Sequence, residues 1–115
     1  MAALLNRHFA LQGMAEASEG LEAVEKARHW KPDLVLMDIG LPRLNGIAAA
    51  RQIREASPTS KIIFLTQETS AEVITEAIQL GASGYVFKSD AETHLAPALE
   101  AVLNGKQYFD GLGQD

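Results

Sequence analysis

A doubly wound α/β fold on a parallel sheet is what this sequence predicts, and three observations predict it. Three short apolar runs, Leu34-Val35-Leu36-Met37, Ile62-Ile63-Phe64-Leu65 and Tyr85-Val86-Phe87, are continuous rather than alternating, as strands buried on both faces are. Stretches of helical periodicity fill the intervals between them, which is the alternation of βαβ units with helices on both faces. Each run ends on a polar residue of a different kind: Asp38, Thr66 and Lys88. In an open parallel sheet the carboxyl ends of the strands form the rim where ligands bind.

The elements follow in order. Phe9 to Ala15 is a weaker strand candidate. Leu21, Val24 and Ala27 share one face of a helix that stops before Lys31-Pro32, because proline disfavours helical geometry in the residue before it. Ile47, Ala50 and Ile53 point one way while Arg51, Arg54 and Glu55 point the other, as far as Ser57-Pro58. Val73, Ala77 and Leu80 make the next stripe, with Thr69 and Glu72 spaced as a capping box and Gly81 suited to a left-handed C-terminal turn. A last helix is expected from Ser89, with Glu92 in capping spacing, through Leu95, Leu99 and Val102 to Gly105. Pro97 falls inside it, so a kink or a loosened first turn is expected. From Gln107 to Leu112 the period is lost, and that tail is expected to trail over the surface.

The 115 residues are 47% hydrophobic and 22% charged, which suits one compact domain over 1–115 with 106–115 as its tail. Ten Lys and Arg against fifteen Asp and Glu leave a formal charge of -5, which repels a phosphate backbone. After Gly105 too little chain remains for a helix-turn-helix, so DNA binding by this chain alone is not expected. Cysteine is absent, which excludes disulfides and Cys-ligated metals and fits a reducing, cytoplasmic setting. No apolar run is long enough for a membrane span, and Met1 to Arg7 is not a secretory leader. His8, His29 and His94 are too scattered for a metal or catalytic cluster and read as surface residues.

Chemistry concentrates at the strand ends. A carboxylate such as Asp38 can attack phosphorus to give an aspartyl phosphate. An ammonium and a hydroxyl, here Lys88 and Thr66, stabilise the charge spread over a transferring phosphoryl group. Each residue alone has a plainer reading: Asp38 as a turn cap, Thr66 as a strand-end β-branched residue, Lys88 as a solvated charge. Together at three equivalent positions they favour the phosphoryl reading.

The stretch Asp38-Ile39-Gly40-Leu41-Pro42-Arg43-Leu44-Asn45-Gly46 resembles the loop after the phosphoacceptor strand of response-regulator receiver domains, the signalling modules of two-component systems. Gly20-Leu21-Glu22-Ala23, Lys31-Pro32-Asp33-Leu34-Val35, Leu80-Gly81-Ala82-Ser83-Gly84-Tyr85 and Lys88 extend the likeness from about Phe9 to Phe109. The spacing most resembles receivers that precede a helix-turn-helix output domain. The resemblance implies a flavodoxin-like fold, with Asp38 as the phosphorylated residue and Thr66 as the hydroxyl that couples the phosphoryl group to a switch. It implies that Lys88 salt-bridges a phosphoryl oxygen, that Tyr85 is the aromatic that swings inward on activation, and that Asp38 and the Gly40 carbonyl ligate Mg²⁺. Gln67 stands where the family commonly has a smaller residue and is expected to narrow the phosphoryl pocket.

One family feature has no counterpart. Receivers begin with a strand ending in an acidic pair that helps hold Mg²⁺, whereas Ala2 to His8 reads as the end of the first helix. The expected fold therefore lacks the first strand and most of the first helix, and Mg²⁺ binding is expected to be weak. Glu16 and Glu19 are the candidates for partial replacement. The lost strand would lie mid-sheet and leave unpaired backbone on both neighbours. Three resolutions are open: the first surviving strand slides beside the Leu34 strand, two chains pair or exchange elements, or the sequence omits residues of the natural protein. The second makes a homodimer the expected state of this chain.

The leading functional expectation is a phosphoacceptor, not a turnover enzyme, fed by a histidine kinase or phosphotransfer protein and switching the face around Val73 to Leu99. The alternative is a phosphorylation-independent dimerisation or interaction module. A small doubly wound enzyme or nucleotide-binding protein is disfavoured, because no Gly-rich phosphate loop follows any strand.

Overall fold

The computed structural model describes residues 2–5, 14–17, 20–40 and 45–111. In chain order the elements are β1 (Ala2–Leu5), β2 (Met14–Ala17), α1 (Gly20–Trp30), β3 (Leu34–Met37), α2 (Gly46–Ala56), β4 (Lys61–Thr66), α3 (Ala71–Leu80), β5 (Gly84–Phe87), a 3₁₀ turn (Lys88–Asp90), α4 (Ala91–Leu103) and β6 (Tyr108–Phe109). The strands form one sheet in the order β2-β1-β3-β4-β5-β6. The three apolar runs are β3, β4 and β5, and their pairings are parallel.

Period 2 along each strand sends alternate side chains to two cores. Val35, Met37, Ile62, Phe64 and Tyr85 pack against α1, α2 and α3 through Ala23, Val24, Ala27, Ile47, Ala50, Ile53, Ile74 and Ala77. Leu34, Ile63 and Val86 pack on the other face against Ala98 and Val102 of α4. Helices thus cover both faces, as the alternation of runs requires. Leu21, expected inside, is 51% exposed, and α1 turns Ala23, Val24 and Ala27 inward instead.

The amino-terminal part departs from expectation. Ala2–Leu5 is a strand, not the end of a helix, and it lies between β2 and β3, antiparallel to both. Alanine and leucine favour helices intrinsically, but the open backbone edge of β3 offers ladder hydrogen bonds that local propensity does not outweigh. The position of the lost strand is therefore filled, in the reverse direction. β2 does not slide beside β3, and the gap that argued for pairing between two chains is closed from within the chain. Of the weak candidate Phe9 to Ala15, Met14 and Ala15 belong to β2, which continues to Ala17; the rest lies outside the described residues.

The other end departs too. Tyr108–Phe109 does not trail over the surface but adds β6 in parallel to β5, with Phe109 and Asp110 buried. The α3 cap is Ser70, whose Oγ accepts from the Val73 amide at 3.2 Å, rather than Thr69. Gly81 takes the left-handed conformation, φ 100°, at the end of α3. The capping box proposed at Ser89 and Glu92 does not form, since the 3₁₀ turn occupies 88–90 and α4 starts at Ala91. α4 continues through Pro97, which is exposed. None of the helices among the described residues is long and apolar enough to cross a membrane.

Candidate functional site

Because β3, β4 and β5 run parallel and in near register, the residues that follow or end them come out at one rim. Met37 pairs with Phe64 and Thr66 with Phe87, so Asp38, Thr66 and Lys88 emerge side by side. They line a cleft of about 330 Å³ together with Ile39, Gly40, Gln67 and Glu68. Lys88 Nζ donates to Asp38 Oδ2 at 2.5 Å across 50 residues of sequence. The Gly40 amide donates to Asp38 Oδ1 at 3.0 Å. The Asp38 side chain is 21% exposed, so the carboxylate is held on both oxygens yet open to the cleft.

Electrostatics at Asp38 are a contest. Burial pushes its carboxyl up, while the hydrogen bonds from Lys88 and Gly40, the Lys88 charge and the Thr66 hydroxyl hold it down. The second group wins, so the carboxyl sits below its ordinary range and is ionised at neutral pH. Thr66 is buried, and its Oγ1 accepts from the Glu68 amide at 3.3 Å, which fixes the first turn of the β4–α3 loop.

The loop after Asp38 is fastened to α2. The Gly46 amide donates to the Ile39 carbonyl at 2.8 Å, and Asn45 caps the helix by accepting from the Ala48 amide at 2.9 Å. Position 46 must be glycine, since a Cβ there would lie 2.4 Å from the Asp38 carbonyl oxygen and 2.6 Å from Ile39 Cα. No backbone relaxation short of moving Asp38 accommodates that contact.

Tyr85 is fully buried beneath the cleft, its ring 6.0 Å from Phe64 and 6.1 Å from Phe87. Its hydroxyl donates to the Glu68 carbonyl at 2.6 Å, tying β5 to the loop that follows Thr66 and carries Gln67 and Glu68. Burial, then the charges of Glu68 and Asp38, push the phenol up to about 12.

Mg²⁺ prefers oxygen donors and tolerates one or two carboxylates when substrate phosphates and waters complete its shell. The cleft offers the Asp38 carboxylate and Glu68, with the Gly40 main chain beside them. That set fits a weakly held ion. Glu16 lies in β2, one strand beyond β1 from Asp38, and Glu19 lies outside the described residues.

Three residues escaped the sequence reading. Glu68, two residues past a strand end, lines the cleft, a place that loop position at the rim would have signalled. His94 does not stand alone: it meets Asp110 at 3.0 Å, and a carboxylate oxygen of Asp90 lies within 4.8 Å of both. A carboxylate after the β-prone Tyr108-Phe109 pair was the available signal for Asp110. His29, by contrast, is largely exposed, and His8 lies outside the described residues.

Comparison with known proteins places this geometry. The family model described as response regulator receiver domain matches residues 1–100. The chain is 38% identical over 94 residues to the transcriptional regulatory protein YxjL of Bacillus subtilis, covering 82% of this chain and 43% of that protein. It is 37% identical over 105 residues to the transcriptional regulatory protein LnrK of the same organism, covering 91% and 48%. The chain thus spans less than half the length of these curated relatives. Among solved structures it is similar to a LuxR-family two-component response regulator from Aurantimonas, with a TM-score of 0.78 and 38% identity over 82% of this chain and 67% of that one. A matched family model over most of the chain, and an α/β sheet that carries acid, hydroxyl and amine at one rim, lead to one conclusion: the chain belongs to the response regulator receiver domain family of two-component signalling.

Proposed function

We propose that the chain is a cytoplasmic phosphoacceptor that takes a phosphoryl group onto Asp38 from a histidine kinase or phosphotransfer protein. The observation that carries this reading is the convergence of Lys88 Nζ on Asp38 Oδ2 at 2.5 Å, in a cleft that also holds Thr66. An Asp38 oxygen attacks phosphorus while the bond from phosphorus to the donor imidazole nitrogen breaks. The imidazole leaves with that electron pair and takes a proton from water. Lys88 passes from the carboxylate to a phosphoryl oxygen, and Thr66 donates its hydroxyl to another, which matches donors to the charge that the moving group carries. Bound Mg²⁺, held by Asp38 and the Gly40 carbonyl, would supply charge neutralisation at the phosphoryl oxygens. The switch is the Thr66–Glu68–Tyr85 connection, and the responding face runs from Val73 to Leu99, where Ile78 is 37% exposed. Partner choice, including a homodimer, is assigned to that face.

A second reading has its own support: β1, Ala-Ala-Leu-Leu, carries no acidic residue to the rim, and Lys88 already neutralises Asp38. In that reading the chain is a phosphorylation-independent interaction module. Incubation with acetyl phosphate and Mg²⁺ followed by intact-mass measurement separates the two. A phosphate adduct that Asp38→Asn abolishes is the expected result, and no adduct at any Mg²⁺ concentration leaves the interaction module.

A further inference from the structure

Lys88 follows directly on the last residue of β5; β4 holds the inner edge of that end through the Thr66–Phe87 pair, but what holds its outer edge is not a strand. β6 pairs with β5 only at Gly84 and Tyr85. The Asp110 amide extends the ladder by donating to the Tyr85 carbonyl at 2.8 Å. The next donor on this edge is the Phe87 amide, and a longer β6 would meet it with a backbone carbonyl. The chain turns away instead at Gly111, φ +82°, where a Cβ would lie 2.8 Å from Phe87 Cζ and 3.0 Å from Ile74 Cδ1. Asp110 Oδ2 takes the Phe87 amide at 3.0 Å, a side chain in place of the missing strand residue.

That carboxylate is itself fixed. The Asp110 side chain is only 10% exposed, and its Oδ1 accepts from His94 Nδ1 at 3.0 Å. The His94 ring stands edge-on to Tyr108 at 6.2 Å, so α4 and β6 together aim the acid at Phe87. The 3₁₀ turn that begins at Lys88 has no side-chain cap of its own. The Phe87 amide belongs to the Val86–Phe87 peptide, so Asp110 pins that peptide from the outer edge, one residue before the backbone from which the Lys88 side chain departs toward Asp38.

We propose that Asp110, oriented by His94, is a positioning residue for Lys88: it acts on phosphoryl transfer through the Phe87 amide without touching the reacting atoms. Its consequence for transfer rests on the phosphoacceptor reading, whereas its effect on Lys88 does not. Outer partners that orient a reacting group typically carry about tenfold or more in activity. Asparagine keeps an oxygen acceptor for the Phe87 amide, and alanine does not.

The test uses the whole chain as wild type, Asp110→Ala and Asp110→Asn, with two readouts. The first is the side-chain ammonium signal of Lys88 in ¹⁵N NMR, which the ion pair with Asp38 protects from rapid exchange. The second is the rate of phosphate uptake from acetyl phosphate as the donor is raised to saturation. Asp110→Ala is expected to lose the Lys88 signal and to lower the maximal rate about tenfold at an unchanged half-saturating donor concentration, and Asp110→Asn to restore both. A Lys88 signal that persists in Asp110→Ala, or an Asn variant as impaired as the Ala variant, overturns the proposal. If wild type takes up no phosphate, the phosphoacceptor reading falls, and the Lys88 signal alone decides whether Asp110 positions that residue.

Discussion

The sheet has two halves that obey different rules. β3, β4 and β5 are parallel and deliver their carboxyl ends to one rim, where Asp38, Thr66 and Lys88 meet. β1 fills the neighbouring slot as an antiparallel strand, so at the same rim it presents its amino end, with Ala2 paired to Met37. Backbone pairing is indifferent to this reversal, because either direction satisfies the edge of β3. Chemistry is not indifferent. A strand that closes the sheet in reverse brings no side chain from its carboxyl end to the site. The carboxylate, hydroxyl and ammonium of Asp38, Thr66 and Lys88 are consequently local to three strands.

The contrast breaks most easily on the parallel side. Gly46→Ala drives a Cβ into the backbone of Asp38 and Ile39, and the expected loss is about 3 kcal/mol of folding stability by chemical denaturation. A loss below about 0.5 kcal/mol would show that the Asp38 loop is not clamped to α2. Leu4→Pro probes the antiparallel side, where residue 4 pairs with Ala15 and Val35 and proline cannot complete two ladders. It should cost about 2 kcal/mol and leave phosphate uptake at Asp38 unchanged. Uptake that disappears with β1 would make the site dependent on the half assigned only a structural role.

The smallest effect is a pH dependence. The folded-state carboxyl of Asp38 lies below its ordinary value of 3.8, so the stability it contributes is fully present above that value. It is lost as pH falls through the folded-state value. In Lys88→Ala, burial is opposed only by Gly40 and Thr66, so the acid-side loss in urea midpoint should shrink relative to wild type. An unchanged acid limb would mean that the ion pair does not govern Asp38.

Much of this was legible in the chain itself. β3, β4 and β5 could be read because continuous Val, Ile, Leu and Phe runs fit a sheet covered on both faces, and the rim residues followed from where those runs end. The cap of α3 lay one residue from its expected place, since Thr69 and Ser70 are both competent acceptors and only geometry chooses. β1 was not legible: Ala2-Ala3-Leu4-Leu5 is a helix-prone string whose strand state depends on the edge of β3. Tyr108-Phe109 is too short to show a period, and its neighbour Asp110 gains meaning only once β6 lies beside β5. The site reading failed in the same way at Glu68 and His94, whose partners are set by loop and helix packing rather than by spacing.

The central claim is that a carboxylate oxygen of Asp38 receives phosphorus. After brief exposure to acetyl phosphate and Mg²⁺, borohydride reduction converts an aspartyl phosphate to homoserine, and peptide mass spectrometry then locates it. The account predicts homoserine at position 38 and at no other aspartate. Label at another carboxylate, or intact aspartate at 38 while the protein carries phosphate elsewhere, contradicts it.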